Sequence, residues 1–285
     1  MNEINFSIIL LIGSIFAGFI GSLTGLGGGI IIVPLLTLGL GVPMKYAVAA
    51  SLISVIGTSS GAAAAYLKEG ITNMKVGMFL QIATTIGAIL GAVMVILVDI
   101  PVDLIGITFG LVLLVTAVLT AQKKPDHLEP VVPGSVAERL QLNGTFPSNG
   151  KLVSYGARSP FLGSIVMAVA GFLSGLLGVG GGVFKVLAMD NIMRLPFKVS
   201  TTTSNFMIGV TALASSIIYF AGGYVVPEVV APILIGIILG AMLGSKVLVK
   251  INVGLLKRIF AVIVAIIAVY MIYNGYVGNF SAKHK

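Results

Sequence analysis

The 285-residue chain is 57% hydrophobic and 9% charged, with 17 Lys and Arg against 9 Asp and Glu for a net charge of +8. An ordinary water-soluble domain carries about 25% charged residues, so this composition excludes one and points to a lipid bilayer. The lack of cysteine excludes disulfides, thiolate metal sites and a cysteine nucleophile. The positive balance, which in a soluble protein would suggest nucleic acid, falls in loops and at helix ends and reads as membrane topology.

In chain order, apolar stretches bounded by glycine, proline or charge run over 5–25, 28–40, 44–67, 74–98 and 102–121, then over 160–178, 181–193, 197–221, 226–249 and 254–275. A span needs roughly 20 apolar residues. The start, Met1 to Asn5, has no basic n-region, and no cleavage pattern follows it, so the first stretch reads as a retained helix. Stretches 28–40 and 181–193 are too short to span and suit half-helices or re-entrant segments. Between the two sets lies a connector, 122–158, with Pro125, Pro130, Pro133 and Pro147 and the turn-forming pairs Asn143-Gly144 and Asn149-Gly150, which predict a small hairpin. The division expected is thus 1–121, a linker over 122–158, and 159–285. His127 and His284, the only histidines, lie in the linker and the tail, away from any intramembrane chemistry.

The two sets are copies of one unit. With an offset of 153 and no gap, residues 18–91 match 171–244 at 20 of 74 positions, including Pro43/Pro196, Lys45/Lys198, Ser51/Ser204, Tyr66/Tyr219, Gly70/Gly223 and Gly91/Gly244. Shared hydrophobicity would match Leu and Val, not Pro, Lys and Tyr. Each copy holds either five spans or a broken, re-entrant helix pair followed by three spans. Both counts are odd, so the second copy is expected to be inverted in the membrane. Loops 67–75, 122–159, 193–198 and 246–258 carry 13 of the 17 Lys and Arg, which puts them in the cytoplasm and both termini outside the plasma membrane. The fold class expected is an all-α polytopic membrane protein of two inverted repeats.

The chemistry concentrates where the copies agree. Each short stretch follows a triple glycine, Gly27, Gly28 and Gly29 in one copy and Gly180, Gly181 and Gly182 in the other. Glycine costs a helix about 1 kcal/mol relative to Ala, and consecutive glycines make no single packing face. They suit a break at membrane depth, tolerated where backbone is buried or lines a cavity. The segment beyond each break presents free N–H groups and the positive end of its dipole, a place for an anion, and two inverted copies would bring two such ends together. The spaced glycines Gly21/Gly25, Gly87/Gly91 and Gly240/Gly244 read instead as helix-packing positions.

The following helices add hydroxyls. Ser51/Ser204 and Thr58/Thr211 are matched between copies, and Asn205 stands where the first copy has Leu52. Lys185, matched to Ile32, is the one basic residue inside an apolar stretch. It reads either as an attractor for an anion or as a partner of Asp190 or a snorkelling cation. Lys45 and Lys198 suit membrane-face anchors or charges at the mouths of a path, and Tyr66 and Tyr219 suit interfacial anchors. Gln81 is compatible with a pathway or with packing.

Gly-x-x-x-Gly-x-Gly-Gly-Gly at 21–29, followed by Val33-Pro34, with its second copy at 174–182, resembles the TauE/SafE sulfite exporter family, also called the toluene sulfonate uptake permease family. The resemblance extends from the first apolar stretch to the last. Pro34 has no counterpart in the second copy, where Lys185 and Leu187 stand instead. The resemblance implies a membrane transporter of anions such as sulfite or sulfonates. The function expected is therefore secondary transport, as an exporter, of a small sulfur-containing anion by alternating access. An uptake permease for another anion, an intramembrane lipid-phosphate enzyme and a non-transporting scaffold are the alternatives. The partners expected are the small anion and the bilayer, with a homodimer admitted, and no cofactor, metal or nucleic acid.

Overall fold

The computed structural model describes residues 3–24, 27–68, 70–98, 100–121, 128–148, 151–248 and 253–282. His127, His284, Gly25, Asn149-Gly150 and the side chain of Tyr66 lie outside what is described. Eight long helices form the body: α1 (Glu3–Thr24), α3 (Met44–Lys68), α4 (Met74–Leu97), α5 (Val102–Ala121), α7 (Pro160–Leu177), α9 (Phe197–Ala221), α10 (Pro227–Leu248) and α11 (Val253–Tyr276). Two short helices, α2 (Gly29–Pro34) and α8 (Gly182–Leu187), each continue into a π-helical turn, Leu35–Gly39 and Ala188–Ile192. The connector holds α6 (Val136–Arg139) and a hairpin, β1 (Gly144–Ser148) paired antiparallel with β2 (Lys151–Tyr155), and α12 (Asn279–Ala282) ends the described chain. Six helices among the described residues are long and apolar enough to cross a bilayer.

The element ends follow from local chemistry. Asn73 caps α4 by accepting the Val76 N–H at 3.0 Å. Ser135 caps α6 by accepting the Glu138 N–H, and the Glu138 carboxylate accepts from Gly134 N–H at 2.6 Å, close to a capping box. α7 stops at Gly178, whose φ of +73° closes the helix with its N–H on the Ser174 carbonyl.

Helix packing is reciprocal between the copies. α1 lies on α10 while its counterpart α7 lies on α4; α3 packs on α9, α5 on α11, α3 on α10 and α4 on α9. The α4–α7 and α1–α10 seams are built from glycine against backbone. A Cβ on Gly87 or Gly91 would overlap the carbonyl oxygens of Ala168 or Phe172, and one on Gly171 or Gly175 those of Thr84 or Ala88. In the other seam, Gly240 meets Ile15 O, Gly18 meets Ile237 O and Gly244 meets Phe19 O. The packing expected of Gly87/Gly91 and Gly240/Gly244 is what these seams contain. Gly21 differs: a Cβ there would lie 2.6 Å from Gly28 N, so it makes room for the chain's own glycine turn instead of a neighbouring helix.

The outward faces carry Ile12, Phe16, Ile86, Leu97, Phe161, Ile217, Phe220 and Ile266, all exposed, as a lipid-facing surface requires. At one end the connector docks through Ala137, Leu142, Phe146 and Tyr155, which pack with Val76, Leu80, Met189, Met193 and Leu195. Asn73 Nδ2 donates to Leu142 O (3.0 Å) and to the Tyr155 hydroxyl (2.9 Å), and burial pushes that phenol's pKa up. Glu129 bridges Arg158 (2.9 Å) and Arg194 (2.7 Å). The Arg194 hydrogen bond, foremost, holds the Glu129 carboxyl below its usual pKa.

Candidate functional site

The two glycine breaks meet at the middle of the molecule. Gly27 (φ +77°) and Gly180 (φ +71°) approach the same two side chains: a Cβ on Gly27 would lie 3.2 Å from Ile208 and 3.4 Å from Val55, and one on Gly180 2.8 Å from Val55 and 3.6 Å from Ile208. Val55 and Ile208 are themselves matched positions, each near the midpoint of its 25-residue helix, α3 or α9. The copies therefore contribute a turn and a helix midpoint each to one locus.

The glycines are needed for different reasons. Gly29 is required for space: a Cβ would sit 2.6 Å from both Gly178 O and Ser51 Oγ. Gly181 is required for conformation, with φ of +65° before α8, and a Cβ would also lie 2.6 Å from Ala170 O. Its counterpart Gly28 has φ of −70° and faces the side chain of Ile237 and Thr58 Oγ1. The chain path is thus alike but not identical at the two breaks.

Ser51, Thr58, Lys185, Ser204, Asn205 and Thr211 are all fully buried. In the first copy, Gly28 N–H donates to Thr58 Oγ1 (3.3 Å), and the Ser51 hydroxyl donates across the copies to Gly178 O (2.6 Å). In the second, the Ser204 hydroxyl donates to Gly182 O (3.3 Å) and Lys185 Nζ donates to Thr211 Oγ1 (2.7 Å). Asn205 turns toward the first copy: its Nδ2 donates to Ser22 O on α1 (3.1 Å), while its Oδ1 is buried with no partner. All the expected site residues thus lie on the glycine breaks, on the short helix α8 or on the paired helices α3 and α9 beside them.

Two expectations need correction. Tyr219 is no interfacial anchor: its ring is fully buried and its hydroxyl donates to Gly175 O at 3.1 Å. The glycine that lets α7 approach α4 leaves a carbonyl within reach of the phenol. Lys185 neither snorkels nor pairs with Asp190. It is fully buried, and its bond goes to Thr211, because α8 runs against α9 and directs the side chain there. Of the paired lysines, Lys45 lies over the Tyr224 ring, 5.7 Å from its centroid, and Lys198 is exposed. An apolar recess of about 280 Å³ lined by Val42, Pro43, Tyr46, Ala50, Val226 and Val229 opens at the Lys45 end and touches none of the expected site residues.

Four residues outside the expected site set lie at this locus, Gln81 among them, which the sequence left open between a pathway and packing. Gln81 on α4 donates to Thr211 Oγ1 (3.0 Å) and Thr85 Oγ1 (2.8 Å), with its Oε1 shielded and unpartnered. The Ser59 hydroxyl donates to the Asn205 carbonyl (2.6 Å). Ser22 supplies the carbonyl that Asn205 holds. Ser174, whose hydroxyl is buried without a partner, lies against Gly181. An isolated amide in an otherwise apolar span was the one signal that could have found Gln81.

The family described as Sulfite exporter TauE/SafE matches residues 10–271. The chain is 30% identical over 227 residues to the Bacillus subtilis (strain 168) protein named "Probable membrane transporter protein YunE", covering 76% of this chain and 80% of that one. It is 26% identical over 229 residues to "Probable membrane transporter protein YdhB" of the same organism, covering 80% and 83%. "Probable membrane transporter protein MJ0441" of Methanocaldococcus jannaschii is 26% identical over 227 residues, covering 76% and 74%. No solved structure matches. A match that reaches from α1 to α11, over a bundle of bilayer-length helices, makes the chain a member of the sulfite exporter TauE/SafE family, a multi-pass membrane transporter.

Proposed function

We propose that this protein is a secondary transporter, working as an exporter, of a small sulfur oxyanion or sulfonate, by alternating access at a locus between two inverted repeats, 1–121 and 159–285, joined by a cytoplasmic linker. Both termini then face outward across the plasma membrane. The observation that carries the reading is the fully buried amine of Lys185, bonded to Thr211 beside two glycine breaks that converge on Val55 and Ile208. A buried cation with only a neutral partner is costly, and an intramembrane charge is a functional feature by default. An anion delivered to it supplies the missing compensation.

In this reading Gly27–Gly29 and Gly180–Gly182 line the path with backbone, Ser51, Thr58 and Ser204 supply hydroxyls, Thr211 holds Lys185 in place, and Asn205 offers an amide with a spare Oδ1. The protein moves its substrate without changing it. The family description and the relatives' names support transport of this kind, and the positive charge of the connector face supports the orientation.

The test is sulfite or sulfonate flux into proteoliposomes. Flux falls when Gly28, Gly181 or Asn205 is replaced by a larger residue, and undiminished flux in all three would move the site elsewhere. Protease or label access to a tag at either end, in right-side-out membranes, checks the orientation.

A further inference from the structure

Thr211 Oγ1 has no capacity left. It accepts from Lys185 Nζ and from Gln81 Nε2, and its own hydrogen goes to Met207 O at 2.9 Å. That commitment also fixes the amide of Gln81, since an atom facing an oxygen whose hydrogen is already spent has to be the N–H. Two kinds of unused group remain around it. Lys185 has further N–H donors, and among the described residues no carboxylate pairs with it. Gln81 Oε1 is shielded from solvent and has no donor.

A buried polar group left unpaired costs stability, and more when it is charged. The ligand that removes both penalties presents an anionic oxygen to the ammonium and a polar hydrogen to the amide oxygen. A bare anion satisfies only the first. A dianion also brings one charge more than the single cation compensates.

We propose that Gln81 is a specificity-determining residue: with Lys185 it selects a small sulfur oxyanion of single charge that carries its own polar hydrogen over an isosteric anion that lacks one. The inference rests on the reading above that this locus binds the anion. It also predicts an off-centre ligand, because the matched positions around the other glycine break, Ile32 for Lys185 and, from the second copy, Leu234 for Gln81, offer neither group.

Isothermal titration of the purified full-length protein with hydroxymethanesulfonate and ethanesulfonate, equal in charge and close in shape, isolates the hydrogen. Wild type binds the hydroxy compound about tenfold more tightly, the fold-change that one net hydrogen bond supplies. Gln81→Leu brings the ratio near one by weakening only the hydroxy compound, and Lys185→Met weakens both at least tenfold. Gln81→Met, unbranched like glutamine, takes its place if the leucine variant does not fold. A wild-type ratio near one, or equal weakening of both ligands by either Gln81 variant, overturns the role of Gln81 and leaves the anion locus standing. Binding unchanged in Lys185→Met, or no binding of either ligand by wild type, sinks the anion locus itself and Gln81's role with it.

Discussion

The two copies hold the same helices in the same mutual contacts, yet the ground beside their glycine breaks differs. Around α2 the matched positions are Ile32, Leu52 and, from the other copy, Leu234; around α8 they are Lys185, Asn205 and Gln81. The shared residues, Ser51/Ser204 and Thr58/Thr211, bond chiefly to backbone or to one another's neighbours and hold the breaks in place. The matched residues thus build a common scaffold, and the polar residues Lys185, Asn205 and Gln81 gather beside one break alone.

That contrast can be broken by exchanging it. Ile32 is fully buried, so Ile32→Lys leaves an ammonium in an apolar cluster and destabilises the protein by about 3 kcal/mol or more, read as thermal unfolding in detergent. Lys185→Met keeps or raises stability, because a hydrophobe replaces a buried charge, while flux falls at least tenfold. Equal stability loss in the two variants would end the claim of asymmetry.

The seams should show the opposite, a symmetric response. Gly175→Val and Gly240→Val each drive a side chain into a carbonyl, Ala88 O or Ile15 O, and each costs about 1–3 kcal/mol or prevents folding. A variant that unfolds in one seam with no effect in the other would show that the copies do not share the packing. Ser51→Ala is milder, at about 1 kcal/mol for a buried hydroxyl bond across the copies. Ser204→Ala costs less, since its bond to Gly182 O is 3.3 Å against 2.6 Å for Ser51.

The smallest effect is at the connector. Glu129 has its pKa lowered chiefly by the Arg194 hydrogen bond, so its contribution is present above the unfolded carboxyl pKa and is lost as pH falls through the lower folded value. Acid titration of thermal stability should show Glu129→Gln slightly below wild type near neutral pH, with part of the acid limb lost and the two proteins converging once pH falls below the folded carboxyl pKa.

Much of this architecture was legible because hydropathy and chain breaks are local properties. The stretch 197–221 returned as α9, Phe197–Ala221, and the short stretches at 28–40 and 181–193 returned as a helix with a π turn. The hairpin followed from Asn-Gly pairs and the breaks from triple glycines. What stayed hidden depends on which helix lies opposite. Tyr219 looks the same in sequence whether it faces headgroups or Gly175 O. Gln81 gains meaning only when α4 and α9 pack and its amide meets Thr211. Asn205 was visible as an amide at depth, but its bond to Ser22 on α1 spans most of the chain and no periodicity encodes it.

The glycine seams carry a mechanical consequence. Each places Cα atoms on the carbonyls of the facing helix, turn after turn, with only the short Ser14 and Ser22 hydroxyls beside Gly236 and Gly244 in the α1–α10 seam. Sliding by a fraction of a turn would push Cα into oxygen, so α1 with α10, and α4 with α7, form two rigid rods. Each rod takes one helix from either side of the gene duplication. The rods are therefore chimeras of the two copies, and α10 of one and α4 of the other rest on α3 and α9, whose contact is where Val55, Ile208 and the two glycine turns meet.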